Sequence, residues 1–244
     1  MFTTRKLLFI IAGALTLGAA LRLAWALAPS LAGVDFYAYV CFARDLISPR
    51  GASAARFAYF PGVYVFWAAV MKLWGQSLRD LQQGYVTLLF TNAALCALLV
   101  FRALGRSSKG PLTPQARVLA GAFAFAWCLL LDVPLEGFVG ATEPIATLPF
   151  LLGLLAWGGA PLTGRAGSWR ALALGLGIGL GVFGKQQALL VAFGWLALVP
   201  DVLGPKPLHA RSTLLLIPIA AVGTLLSALQ LSGGLSALVR GVQT

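Results

Sequence analysis

The stretch YFPGVYVFWAAVMKLW, residues 59–74, decides how this chain is threaded. It is apolar over most of its length, opens on Pro61-Gly62 and carries Lys72 inside its last turn. A helix needs about 20 predominantly apolar residues to cross the hydrocarbon layer. Sixteen fall short of that, so the segment is either a short span or a helix lying along the interface. Every loop that follows changes side according to which it is.

The flanking sequence supplies the solvent. Only 10% of the 244 residues are charged and 59% are hydrophobic, with a mean hydropathy of +0.88. A water-facing surface needs roughly 25% charged residues, so a soluble enzyme, a disulfide scaffold and a disordered tail are all excluded. Apolar runs at Leu7–Ala28, Gly84–Ala103, Val118–Leu131, Pro144–Gly158, Ala171–Phe183, Ala188–Pro200 and Thr213–Leu231 predict about seven transmembrane helices. The first resembles a signal peptide, ending Ala26-Leu27-Ala28. At 22 residues it exceeds the usual cleavable core, and Arg22 and Trp25 fit a snorkelling cation and an interface anchor. We expect it to be retained.

Charge then arbitrates the opening stretch. If residues 59–74 do not cross and the N-terminus is cytoplasmic, ten of the 18 basic residues fall inside, at positions 5, 6, 102, 106, 109, 117, 165, 170, 206 and 211. Six of the seven acidic residues (Asp35, Asp45, Asp80, Asp132, Glu136, Glu143) fall on the outer side. Letting the stretch cross would flip the basic 102–117 loop outward, against the positive-inside rule. The expected architecture is therefore all-α and polytopic, a single transmembrane module over residues 1–244. Its first outer loop, 29–83, carries juxtamembrane helices, and its second, 132–143, holds three carboxylates. The net charge of +11 is spent on orientation and anionic headgroups, and no nucleic-acid surface is implied.

Long loops in a compact membrane protein are usually functional, which directs the search outward. Asp35 stands in an apolar setting after the first span, where lost hydration favours a proton acceptor. The same residue before a helical run could equally be an N-cap. Glu143 opens the fourth span in Thr142-Glu143-Pro144. There it is either a cap suited to the helix dipole or, with Asp35, half of a pair able to activate a hydroxyl or hold a divalent cation. Lys185, in Gly184-Lys185-Gln186-Gln187, interrupts an apolar run, as a snorkelling cation or as the counter-ion of a lipid-linked phosphate. The glycines of 175–184 are weak support for a phosphate loop, because small residues also serve close helix packing. His209 reads as an inner-loop residue. The aromatics Phe57, Tyr59, Phe60, Tyr64, Phe66, Trp67 and Trp74 read as an interfacial belt, with stacking on a sugar ring as the other use. Cys41, Cys96 and Cys128 have no metal-ligand spacing.

Taken in order, four segments resemble the GT-C superfamily of integral-membrane glycosyltransferases. They are Val34-Asp35-Phe36-Tyr37 after the first span, the aromatic-proline helix from Tyr59-Phe60-Pro61-Gly62 to Trp74-Gly75, Thr142-Glu143-Pro144-Ile145 opening a later span, and Gly184-Lys185-Gln186-Gln187-Ala188-Leu189-Leu190. The resemblance implies transfer of a sugar from a polyprenyl-phosphate donor to a glycan, lipid or protein hydroxyl at the outer face of a bacterial plasma membrane, with inversion. Asp35 and Glu143 would be the catalytic carboxylates and, with a divalent cation such as Mg or Mn, the metal ligands. Lys185, Gln186, Tyr37, Arg56 and Tyr59 would contact substrate. Two departures stand out: one proline, Pro61, where the family has two, and no further spans after the seventh up to Thr244. The rival expectations are a transporter or lipid-carrier binding protein without chemistry, and an inactive part of a larger glycosyltransferase.

Overall fold

The computed structural model describes residues 4–27, 34–48, 61–105, 112–131, 143–158, 162–185 and 208–232. Among these residues every regular element is an α-helix: α1 (Thr4–Leu27), α2 (Val34–Ile47), α3 (Gly62–Leu73), α4 (Leu78–Leu104), α5 (Pro114–Leu131), α6 (Glu143–Trp157), α7 (Gly164–Gly184) and α8 (Leu208–Leu231). Three stretches, Leu78–Leu104, Gly164–Gly184 and Thr213–Leu231, are long and apolar enough to cross a membrane, which gives the chain membrane-protein character. Ile10–Ala24, Gly62–Leu73 and Pro144–Trp157 are apolar but shorter. The expected span Ala188–Pro200 and most of the 132–143 loop lie outside the described residues.

The chain divides into two compact units, residues 1–37 with 70–144 and residues 38–69 with 145–244. In the first, α4 and α5 lie antiparallel. The Nε of Arg117 donates to the Phe101 carbonyl at 3.0 Å with its guanidinium over the Phe101 ring, and Phe125 lies beside Phe90 further along. Leu15 of α1 lines a groove with Ala97, Phe101 and Val118. One Nη of Arg22 reaches the Leu129 carbonyl at 3.0 Å. The two contacts advance together along α1 and α5, so α1 runs parallel to α5 and antiparallel to α4.

Arg22 is 1% exposed, which corrects the expectation of a snorkelling side chain. The physical reason is its acceptor. Leu129 belongs to the last turn of α5, where backbone carbonyls lack helical partners and the dipole favours a cation. Asp80, counted in the first outer loop by the charge distribution, is the third residue of α4, and it closes a capping box. Its N–H donates to Ser77 Oγ at 3.1 Å and its carboxylate accepts from the Ser77 N–H at 3.2 Å. The cap starts α4 six residues before the apolar run at Gly84 begins. Cys96 and Cys128 line one apolar groove between α4 and α5, and none of the three cysteines is in a disulfide among the described residues.

In the second unit, glycine sets the packing. A Cβ on Gly175 or Gly179 would collide with the carbonyls of Ile217 and Ala221 respectively. The offset is the same in both pairs, so α7 and α8 run in parallel. On another face of α7, a Cβ on Gly177 would lie 2.5 Å from the Pro149 carbonyl and 3.0 Å from Gly153 Cα. One on Gly184 would lie 3.2 Å from Ala146 Cα, so α6 and α7 are antiparallel. The glycine run therefore serves backbone-to-backbone contact and no phosphate loop. Leu162, Ala171, Leu174, Ile178, Val182 and Ile217 fill the core beside it.

The aromatic belt needs dividing. Tyr64 and Trp67 are fully buried, and Tyr39 and Phe42 pack their rings on Tyr64 at 6.1 and 5.3 Å. Trp74, just past α3, is 46% exposed and keeps a boundary position. Helical spacing explains the split, since Val63, Tyr64, Trp67, Ala68, Val70 and Met71 share one buried stripe of α3. At 12 residues, α3 is about 18 Å long, too short to cross. His209 is also corrected: it sits in the first turn of α8, which begins at Leu208.

Candidate functional site

The second unit brings three of the sequence motifs to one place. Gly62 opens α3, and a Cβ there would collide with the Phe183 carbonyl and lie 2.7 Å from Gly184 Cα. Ala146, in the first turn of α6, is the backbone that abuts Gly184 from another side. The Pro61-Gly62 start of α3, the first turn of α6 and the Gly-Lys terminus of α7 thus meet where Gly62 and Gly184 let main chains touch. No residue larger than glycine fits at either contact without moving backbone.

The electrostatics of that junction follow from the helix ends. The N-termini of α3 and α6 each carry the partial positive charge of a helix start. Lys185 caps α7 with extended backbone, its own N–H donating to the Gly181 carbonyl at 2.9 Å. It is the first residue beyond the helix, half-buried, and loss of hydration draws its ammonium below the ordinary lysine value of 10.5. Such a cation beside helix N-termini is a suitable setting for a phosphate group.

The carboxylates occupy helix starts. Asp35 is the second residue of α2 rather than the residue before it, so the helix begins two residues earlier than an Asp35 N-cap requires. Tyr37 is 45% exposed and packs edge-on to Phe36 at 5.8 Å. Glu143 is the first residue of α6. The carboxylates of Asp35 and Glu143 lie outside the described side chains, and Arg56, Tyr59 and Gln186 lie outside the described residues altogether. Among the described residues, no three His, Cys, Asp or Glu side chains group as a metal site.

Two buried amides are additional to the sequence candidates. Asn92, in the middle of α4 and 8% exposed, donates from Nδ2 to the Pro144 carbonyl at 2.8 Å, while its Oδ1 accepts no hydrogen bond. Gln82 is fully buried with neither amide atom hydrogen-bonded. A polar residue inside the apolar run Gly84–Ala103 was the available signal for Asn92. Comparison of the chain with protein-family models, curated proteins and solved structures gives no match.

Proposed function

We propose that the chain is a seven-span, GT-C-type membrane glycosyltransferase that takes its sugar from a polyprenyl-phosphate donor on the outer face of the membrane. The observation that carries this is the glycine-mediated junction at which the Pro61-Gly62 start of α3, the first turn of α6 and the Lys185 terminus of α7 meet. The helix directions support the threading. Because α1 and α4 are antiparallel, an even number of crossings separates them, in keeping with residues 59–74 lying along the interface. The end of α7 and the start of α8 lie at opposite ends of a parallel pair, in keeping with a crossing at 188–200.

On this reading Asp35 accepts the proton of the acceptor hydroxyl as its oxygen attacks the anomeric carbon. The bond from that carbon to the lipid phosphate breaks, and the departing charge meets Lys185. Attack opposite the leaving group inverts the anomeric centre and leaves no sugar on the protein. Glu143, with Asp35, would hold a divalent cation, Mg or Mn, if one assists. The test is sugar transfer in proteoliposomes from a polyprenyl-phosphate donor, comparing wild type with Asp35→Asn and Lys185→Gln. We expect a loss of at least 100-fold for Asp35→Asn, the scale of general-base catalysis. Full activity in that variant would remove Asp35 from the role. Donor binding without turnover in the wild type would leave a lipid-carrier binding protein.

A further inference from the structure

Two apolar grooves open from the start of α5, both within the first unit. One, of about 710 Å³, lies towards α1. Leu8, Val118 and Ala122 line it, with Thr113 and Gln115 as its polar edge. The other, of about 680 Å³, lies towards α4 and runs past Val100 and Phe123 to Trp127 and Cys128. Ala116 and Leu119 border both grooves, so this face of α5 forms a ridge between them. Small side chains explain the hollows: Ala116, Ala120 and Ala124 recur at helical spacing on the α4 side, and Ala122 lies on the α1 side. Each groove has the size of a small-molecule site.

Length and charge narrow the occupant. Along α5 the first groove extends from Thr113 to Ala122 and the second from Ala116 to Cys128. At 1.5 Å per residue these are about 14 and 18 Å. One leaflet of a hydrocarbon layer about 30 Å thick is about 15 Å deep, so each groove matches one extended acyl chain. The end from which both start is basic. Between Asp80 and Asp132 the sequence has no acidic residue, yet it holds Arg102, Arg106, Lys109 and Arg117. Arg5 stands one turn before Leu8 on α1, so it shares a face with that lining residue. Thr113 and Gln115 are exposed, and Thr113 Oγ1 accepts the Ala116 N–H at 3.3 Å, which keeps the hydroxyl at the edge.

We propose that the start of α5 seats one anionic two-chain phospholipid, its phosphate at the Thr113–Gln115 edge and one acyl chain in each groove. The ridge of Ala116 and Leu119 separates the chains. Twin grooves favour a diacyl lipid over a polyprenyl carrier, whose single tail would leave one groove unfilled. The charge favours an anionic headgroup, because a choline or ethanolamine would add a cation to an end that already lacks anions. The seated lipid touches α1 at Leu8, α4 at Cys96 and Val100, and α5 along its length. It therefore ties three helices together and stabilises the folded bundle by mass action. The seat stands whether or not the chain transfers sugar.

Native mass spectrometry of the full chain from neutral detergent counts the bound lipid. The probes are phosphatidylglycerol, phosphatidylcholine and the single-chain lysophosphatidylglycerol. We expect one site for phosphatidylglycerol, at least about tenfold tighter than for either of the others, the scale of two or more cations at the headgroup. Equal affinity for phosphatidylglycerol and either of the other two would overturn the proposal. Ala116→Phe, which fills the border of both grooves, should remove the site. Ala120→Phe, which blocks the α4-side groove alone, should bring phosphatidylglycerol down to the level of its lysolipid. Arg5→Gln with Lys109→Gln should bring it down to the level of phosphatidylcholine. Circular dichroism confirms that each variant keeps its helices, and tight binding by both phenylalanine variants would refute the seat. Displacement of phosphatidylglycerol by a polyprenyl phosphate, or a dimer of the chain in place of the bound lipid, would give the grooves another occupant and overturn it as well.

Discussion

Replacing Gly177 with alanine isolates the energetic worth of the glycine packing. The added Cβ would lie 2.5 Å from the Pro149 carbonyl oxygen and 3.0 Å from Gly153 Cα, where ordinary contact begins at 3.4 Å. Both neighbours are main chain, so no rotamer change relieves the overlap. Either α6 and α7 separate by several tenths of an ångström along the seam, or a helix distorts. Overpacking of this kind costs about 1–3 kcal/mol. Alanine also returns about 0.5–1 kcal/mol of backbone entropy in a helix interior, which blurs the single measurement. Gly223 of α8 removes the ambiguity, because a Cβ there meets nothing within 4 Å. The difference between Gly177→Ala and Gly223→Ala cancels the propensity term and should amount to about 1–3 kcal/mol, or a factor of roughly 5–150 in the unfolding constant. Titration with sodium dodecyl sulfate in mixed micelles, followed by circular dichroism, reads both variants on one scale. Equal stability of the two would refute the seam as an energetic contact.

Other perturbations test separate parts of the fold. Trp67→Ala should cost about 3–5 kcal/mol, as for large core aromatics, whereas exposed Trp74→Ala should change stability by less than about 0.5 kcal/mol; the same micelle titration compares them, and similar losses would mean that both belong to one belt. Ser77→Ala should cost about 1 kcal/mol by opening the α4 capping box, with faster amide exchange confined to the first turn of α4. Lys185 gives a pH signature. Its folded-state pKa is below 10.5, so between that value and 10.5 the unfolded chain binds more protons and stability rises with pH. Lys185→Met should flatten that rise, and an unchanged slope would assign it to another group. A phosphate-bearing lipid should oppose it by favouring the charged ammonium, which the same titration in anionic micelles would show.

The helical, membrane-borne character of the chain is legible from composition alone, since so few charges cannot cover a water-exposed surface. Most helix positions follow from apolar runs, but their starts do not. α4 begins at Leu78 because Ser77 and Asp80 cap one another, a local hydrogen-bond pattern that hydropathy overlooks. The misassigned aromatics have a related cause. Composition places Tyr64 and Trp67 with Trp74, whereas three- and four-residue spacing separates a buried stripe from an exposed end. Arg22 could not be placed from sequence, because its acceptor is a main-chain carbonyl 107 residues away. For the site, sequence singles out Lys185 and Glu143, while the reason their segments meet lies in Gly62 and Gly184, whose importance is invisible until the neighbouring main chain is seen.

The parallel pairing of α7 with α8 has an evolutionary consequence. Contacts between carbonyls and bare Cα atoms have no side chains to repack, so the pair has a fixed register and few ways to drift. Related chains should tolerate changes of length between residues 201 and 207, after the proposed crossing, yet reject a one-residue insertion inside either helix between the contacts at 175 and 179 or at 217 and 221. Such an insertion rotates the later contacts by about 100° and turns a side chain towards the partner backbone. In a collection of relatives, the seam would stand out as two helices of invariant spacing joined by a connection of variable length.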